Sequence, residues 1–341
     1  MIDHTADLGG TQEHLSFTAD LSGTADLSPM DLAVLTLPTG PGDSRAPGYE
    51  LQEKIGGGSF GEVWRALQMS TGQPVAVKIF KSVDPAVLRE LERIVRLGSH
   101  PYLISILDAK LNNDPPFMVT SLLQGSLSAW MKVHAHAAEL NLRVSAWLRQ
   151  AALALSYVHR RGVFHCDIKP QNLLLDSQEV LRLADFGQAQ SSGTSARLGT
   201  FFCMPPDQVL AAKAHGFSKG LATWDIYALG ATFYYLLTSY YPRATPSGLR
   251  KLEHMADLQE RLKEYWIQLQ RCRLVPIAEY NPGVETRLAM IIERCLALDP
   301  GRRYQDAAEL VADLELWDRV RRNSLDEVFY FLRCAAHRLG M

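Results

Sequence analysis

Paired cysteines are missing. Five cysteines (Cys166, Cys203, Cys272, Cys295 and Cys334) are scattered along 341 residues without the spacing of a disulfide framework or a metal knuckle. That excludes a cystine-stapled fold and fits a reduced compartment, so a cytoplasmic location is expected. Long apolar runs are missing too. The most apolar stretch, "IYALGATFYYLL" from Ile226 to Leu237, falls short of the ~20 residues a spanning helix needs and follows Asp225 directly. No membrane span is expected, and this stretch reads as a buried helix. The N-terminus lacks a basic segment leading into an apolar one, so no signal peptide is expected. A strong charge of either sign is also absent. The formal net charge is −2, which argues against a general nucleic-acid binder.

What charge there is lies unevenly. Residues 1–47 carry seven acids against one base, Arg45, for a net of −6, which leaves +4 for the rest. This segment is rich in Gly, Pro, Ser, Thr and Asp and repeats "TADLGG", "TADLSG" and "TADLSP". Low hydrophobicity with many turn formers predicts a disordered acidic tail. The alternative is a set of phosphorylation or docking sites at Thr5, Thr18 and Thr24, each with an acid two positions on.

Beyond the tail, "YELQEKIGGGSFGEVWRALQ" and "PVAVKIFK" place β-branched and aromatic residues in short runs around turns, which predicts a hairpin sheet. "DPAVLRELERIVRLG" has Val87, Leu91, Ile94 and Val95 at helical spacing, between Pro85 and Gly98. "YLISILDAKL" and "PFMVTSLL" read as two more strands. Helical patterns then dominate: "RVSAWLRQAALALSYVHRRG", closed by Gly162, then stretches near 222–238, 247–272, 285–297 and 305–320, and a last one in "LDEVFYFLRCAAHRL". The expected fold is α+β: a small β-rich lobe (about 48–120) with one main helix, a crossing near 121–125, a larger α-helical lobe (about 125–320), and a helical extension over 321–341. The charged stretch 243–275 is longer than one minimal helix needs. It reads as a solvated surface helix or as a docking face.

Three places carry chemistry. In "GGGSFGEV", the glycines 56, 57, 58 and 61 either serve a hairpin that needs left-handed backbone or leave backbone N–H groups bare over phosphates. Lys78 ends the apolar strand "VAVK". It either snorkels to solvent or pairs with Glu90, twelve residues on, and is held toward phosphate oxygens. In "HCDIKPQN", Asp167 can take a proton from an attacking hydroxyl, Lys169 can neutralise the group being moved, and Asn172 can offer an amide oxygen to a metal. Asp185, in "DFG" thirteen residues beyond Asn172, adds a hard carboxylate oxygen. Any one of these acids alone is more often a turn or cap residue. Their shared order and spacing carry the reading.

Taken together these segments resemble the eukaryotic-type (Hanks-type) serine/threonine protein kinase family over about residues 49–318. "GTFFCMPPD", "WDIYALG" and "LDPGRR" match its later marks more loosely. An Ala-, Leu- and Arg-rich composition with a compact 185–207 segment points to a bacterial member. The resemblance implies ATP between the lobes, bounded by Ile55, Gly56, Gly57, Gly58, Ser59, Phe60, Gly61 and Val63 of the glycine-rich loop, by Ala76, and by Leu174 below. It implies adenine contacts to the backbone of Ser121 to Leu123 and Thr120 at the back of the pocket. Lys78, held by Glu90, would bind the phosphates; Asn172 and Asp185 would bind Mg2+ or Mn2+. Asp167 would orient a Ser or Thr hydroxyl of a protein substrate, Lys169 would stabilise the γ-phosphoryl group in transit, and Thr200 would brace both. A phosphothreonine-reading domain on the tail is a further expected partner. The helix containing Asp225 would cap the catalytic loop.

The chain departs from that pattern at Cys166, which stands where an arginine usually reads a phosphate on the 185–207 segment. A thiol cannot do so, so weak dependence on phosphorylation there is expected. Asp207 in "PPD" replaces a glutamate and would reach Arg303 with a shorter arm. Gln188 is polar where an apolar residue is common. Two other readings compete: a nucleotide-binding pseudokinase scaffold, whose usual sign is loss of a residue such as Lys78, Asp167 or Asp185, and a small-molecule kinase on a related fold, which generally lacks the "DFG", "GT" and late-arginine set.

Overall fold

The computed structural model describes residues 45–58, 61–81, 91–92, 94–134, 140–186, 201–213 and 222–338, with side chains up to residue 322 apart from those of residues 142, 212 and 213. The TADL repeats lie outside the described residues. So do Ser59, Phe60, Glu90, Gln188 and Thr200, and most of the expected helix at 84–98. Everything below belongs to one compact unit, Pro41–Met341.

Five antiparallel strands form the first layer: β1 (Tyr49–Gly58), β2 (Gly61–Gln68), β3 (Pro74–Phe80), β4 (Ile106–Lys110) and β5 (Phe117–Ser121), in the order β1-β2-β3-β5-β4. The side-chain period of two sorts β3 cleanly. Val75, Val77 and Ile79 join Leu51, Trp64, Phe117 and Val119 in the core above the sheet. Ala76, Lys78 and Phe80 face the other way. β3 is therefore covered on both faces, which is why "VAVKIF" reads as a near-continuous apolar run broken by one lysine. Gly61 is required by close approach, since a Cβ there would sit 2.1 Å from the carbonyl oxygen of Ile79 on β3.

A short sheet follows, β6 (Gly125–Ser126), β7 (Leu173–Leu175) and β8 (Leu181–Leu183), beside α1 (Leu127–His134) and α2 (Leu140–His159). β8 is tied by backbone to the segment that leads into β4: Leu183 N–H donates to Tyr102 O at 2.9 Å, and Ile104 N–H to Leu183 O at 2.9 Å. The second layer is helical: α3 (Pro206–Lys213), α4 (Ala222–Thr238), α5 (Pro246–Glu253), α6 (Leu258–Arg271), α7 (Ile277–Tyr280), α8 (Thr286–Cys295) and α9 (Ala307–Arg338). This bilobal arrangement is the one the sequence led us to expect.

α4 is buried along nearly its whole length, as its all-round apolar pattern demands. Its buried threonines satisfy themselves by bonding back to the helix, Thr232 Oγ1 to Ala228 O at 2.9 Å and Thr238 Oγ1 to Tyr234 O at 2.8 Å. Gly230 lets α8 come close, because a Cβ would meet that of Cys295 at 2.5 Å.

Three expectations change. The single helix at 247–272 is two, α5 and α6, because Asp257 caps a new start by accepting from Glu260 N–H at 2.8 Å. Its apolar face is neither solvated nor free, since Leu252, Leu262, Tyr265 and Leu269 are buried against residues 201–209. The two helices expected over 305–339 are one, α9, whose sequence has no Gly or Pro to stop it. "YLISILDAKL" supplies only the five residues of β4; Leu103, before it, forms an isolated parallel bridge to Leu183.

Asp207 does reach Arg303, at 2.8 Å, while Trp224 Nε1 donates to its second oxygen at 2.7 Å. The guanidinium is fully buried and also donates to Ala297 O, Leu298 O and Thr223 O. The shorter acid is compensated by a pocket of carbonyls, so the buried cation has partners on every side.

Candidate active site

The segment that carries Asp167 is held from behind by one carboxylate. Asp225, near the start of α4, has no exposed surface. Its Oδ1 accepts from Cys166 N–H at 2.7 Å, and its Oδ2 accepts from His165 N–H at 2.8 Å and His159 Nε2 at 2.9 Å. Cys166 takes a left-handed φ of 58°, which a residue with a Cβ adopts only at a cost. The bonds to Asp225 hold it there. His165 ties the loop to the next segment. Its Nδ1 accepts from Asp167 N–H at 3.3 Å, so Nε2 carries the proton and donates to Ala184 O at 2.8 Å. Ala184 N–H in turn donates to Asn172 O at 2.9 Å. These bonds bring the residue after Ala184, Asp185, up to the loop that carries Asp167 and Asn172.

Asp167 is buried. Its Oδ2 accepts from Asn172 Nδ2 at 3.0 Å and Lys169 Nζ at 2.8 Å, and Asn172 Nδ2 also donates to Asp167 O at 2.8 Å. Its Oδ1 is buried with no hydrogen-bond partner among the described residues. Burial pushes this carboxyl above its ordinary pKa even though Lys169 and His165 pull it down. Asp185 goes the other way. Burial would raise it, but the Lys78 ammonium bonded to Oδ1 outweighs burial and holds the carboxyl below its ordinary value. Two acids a few bonds apart thus have environments that drive them in opposite directions.

Lys78 and Asp185 meet although 107 positions separate them. The partner expected for Lys78, Glu90, lies outside the described residues; the carboxylate recorded against it is Asp185. Asp185 has a left-handed φ of 62°. Behind the pair is a cavity of about 30 Å3 lined by Leu91, Ile94, Met118 and Phe186 among others.

The register sorts the expected nucleotide wall. Thr120 lies opposite Ala76, and Met118 opposite Lys78, so Thr120, Ala76 and Lys78 share the face turned from the upper core. Val63 is opposite both Lys78 and Gly56. Gly56, Gly57 and Gly61 lie outside the left-handed region, so no need for left-handed glycine arises at these positions. Ile55 is exposed, and Leu174 on β7 is half-buried between its buried neighbours Leu173 and Leu175. Ser121 N–H donates to Ser105 O at 3.0 Å and so is already engaged.

Sequence reasoning flagged Asp225 only through the resemblance and missed His159 and His165. Their hydrogen bonds go to a group far off in the chain or to backbone, which leave no periodic trace.

The family model described as protein kinase domain matches residues 49–313. The chain is 29% identical over 296 residues to mitogen-activated protein kinase 12 of Oryza sativa subsp. japonica, an alignment that covers 78% of this chain and 50% of that protein. It is 28% identical over 282 residues to a probable serine/threonine-protein kinase of Clostridium perfringens, covering 78% and 38%. It is 30% identical over 303 residues to the serine/threonine-protein kinase PknK of Mycobacterium bovis, covering 86% and 26%. The chain therefore spans half or less of the length of these curated relatives. No helix among the described residues is long and apolar enough to cross a membrane.

The Lys78–Asp185 pair has a pH signature. A carboxyl whose folded pKa is depressed contributes stability that is present above its unfolded pKa and lost as pH falls through the folded value. In Lys78→Met the partly buried Asp185 loses its cation, so its pKa rises instead. Thermal unfolding should therefore show a lower Tm for the variant at neutral pH, with the gap to wild type closing below about pH 4. A gap that stays constant with pH would remove the ion pair as its cause.

Proposed function

The chain belongs to the protein kinase domain family, and on that footing we propose that it transfers the γ-phosphoryl group of ATP to serine or threonine hydroxyls of protein substrates. The observation that carries this reading is Asp167. Its buried Oδ1 has no partner among the described residues, while its Oδ2 is fixed by Asn172 and Lys169. A buried acceptor oxygen with an empty valence, beside a cation, is what a hydroxyl needs to be oriented and relieved of its proton.

Asp167 aims the acceptor hydroxyl through Oδ1. As the hydroxyl oxygen bonds to the γ-phosphorus, the bond from phosphorus to the ADP oxygen breaks and the hydroxyl proton passes to Asp167. The raised pKa of this carboxyl, set by burial, favours taking that proton. Lys169, held 2.8 Å from Asp167, places its positive charge where the phosphoryl group would cross. Lys78 offers its ammonium to phosphate oxygens, exchanging its bond to Asp185 for one to the nucleotide. Positioning and electrostatics supply most of the rate.

The donor set fits a hard divalent cation. Asn172 commits its amide nitrogen to Asp167 twice, which leaves its amide oxygen to offer, and Asp185 has a second carboxylate oxygen beyond the one bonded to Lys78. These two residues would hold Mg2+ or Mn2+, which when bound neutralises phosphate charge. Lys169, two residues after Asp167, supports Ser/Thr acceptors by resemblance. Thr5, Thr18 and Thr24 are candidate autophosphorylation sites that a phosphothreonine-reading partner would recognise, a reading supported by their threefold repeat beside acids.

Labelled ATP, Mg2+ and a basic acceptor protein test this directly. Wild type should phosphorylate the acceptor, and Asp167→Asn should lower the rate about 10²–10⁴-fold while nucleotide binding persists. A wild type that binds nucleotide but transfers nothing would make the chain a scaffold. In the same assay, joint replacement of Ser191, Ser192, Thr194 and Ser195 by Ala should leave the rate within a few-fold of wild type, because Cys166 cannot read a phosphate. A collapse would show that another group reads it.

A further inference from the structure

The hairpin of β1 and β2 carries the glycines on which a nucleotide would rest, and it is supported from one side only. β1 is an edge strand, paired in the sheet with β2 alone. Its register slips between Lys54 and Gly56, a bulge at Ile55 that bends the strand where the glycines begin. Gly56, Gly57 and Gly58 follow with no side chains to pack, and glycine has the most conformational freedom to lose on being fixed. A strand end of this kind needs a support from outside the ladder.

One acid supplies it. Glu62 lies opposite Gly57 on β2, and its Oε1 accepts from Lys54 Nζ at 2.6 Å, diagonally across the hairpin. Its Oε2 accepts from Trp64 Nε1 at 3.2 Å and lies 3.6 Å from the Arg45 guanidinium. The Trp64 ring is buried in the core above the sheet, with Arg45 5.8 Å over it. The Arg45 carbonyl accepts from Asn113 Nδ2 at 3.2 Å, which ties this corner to the turn between β4 and β5. The carboxylate is therefore rooted in the fold, and Lys54 is tied to the carboxylate. The lysine stem runs along the glycines, since a Cβ on Gly57 would meet Lys54 Cε at 3.1 Å.

An isolated surface ion pair contributes little. Here three donors converge on a side chain that is only 14% exposed. Burial would raise the Glu62 carboxyl, but the bond and charge of Lys54, with Trp64 and Arg45, hold it below its ordinary pKa. Val63, the next residue, turns the other way and lies opposite both Gly56 and Lys78. The ion pair and the expected nucleotide wall are thus two faces of the same two strands, and a hairpin that lifts on one face lifts on the other.

We propose that Lys54 and Glu62 form a clamp across the bulge that sets the height of the glycine hairpin over the nucleotide, which makes both of them positioning residues for ATP. This rests on the kinase reading above. It assigns a role to a lysine and a glutamate that touch neither the nucleotide nor the acceptor.

Titration calorimetry with Mg-ATP on the full chain tests the clamp. Lys54 is exposed, so Lys54→Met leaves the core intact; it should weaken ATP binding about two- to fivefold. Glu62→Lys sets three cations together and should weaken it about tenfold. Adding Lys54→Glu to Glu62→Lys restores a pair of opposite charges and should recover at least about threefold of that loss. The KM of a basic peptide acceptor should stay at the wild-type value in all three. Wild-type ATP affinity in both single variants overturns the clamp. A loss that the charge swap leaves uncorrected overturns it too, since that marks damage to the hairpin rather than a missing ion pair. A wild type that binds ATP but transfers no phosphoryl group overturns the kinase reading alone, because the clamp is judged on affinity. A wild type that binds no ATP overturns both.

Discussion

One buried carboxylate sets the geometry of the cleft. Asp225 sits on a helix buried along nearly its whole length and takes three hydrogen bonds from the stretch from His159 to Cys166, which leads into Asp167. Bonds to a charged acceptor are worth about 1.5–3 kcal/mol each, enough to hold Cys166 in a left-handed conformation that a free chain would leave. With Cys166 fixed, Asp167 N–H reaches His165 Nδ1, and the histidine's other nitrogen reaches Ala184 O. Core packing of α4 is thereby passed through hydrogen bonds to two acids that approach from different segments.

Those acids are alike in chemistry and opposite in setting. Asp167 keeps one bare oxygen in a buried place, while Asp185 is dominated by Lys78. On the proposed reading, a carboxyl that takes a proton gains from a raised pKa, and one that binds cations gains from a lowered one. Burial raises both in the same direction; the lysine on β3 separates them. Residues 201–204 rest separately on α5 and α6, through aromatic rings and one tyrosine hydroxyl.

Much of this was legible in the sequence because the chemistry is concentrated in short segments of unusual composition. Asp167, Lys169 and Asn172 fall within six residues, and the structure joins them by direct bonds. Lys78 was legible as a lone charge in an apolar strand. Its contact with Asp185 was not, because pairing across 107 positions leaves no local pattern. Asp225 carried no signal of its own, since it binds backbone N–H groups that every sequence has. Tyr265 looked like one aromatic in an amphipathic helix. The break between α5 and α6 turned on a single capping side chain, Asp257, in a stretch whose apolar spacing continues through it. Gly61 was noticed for its place in a glycine-rich run, and the reason for it proved to be the nearness of β3.

The most direct test of this account is Asp225→Asn, measured for both phosphoryl transfer and nucleotide affinity. The amide presents an N–H to one of the two backbone donors that the carboxylate accepts, so Cys166 and Asp167 lose their hold while Lys78 and β3 are untouched. The account predicts a kcat at least about tenfold lower, equivalent to about 1.4 kcal/mol in the transition state, with nucleotide affinity unchanged. A variant with wild-type kcat, or one whose nucleotide affinity falls as far as its kcat, would contradict it.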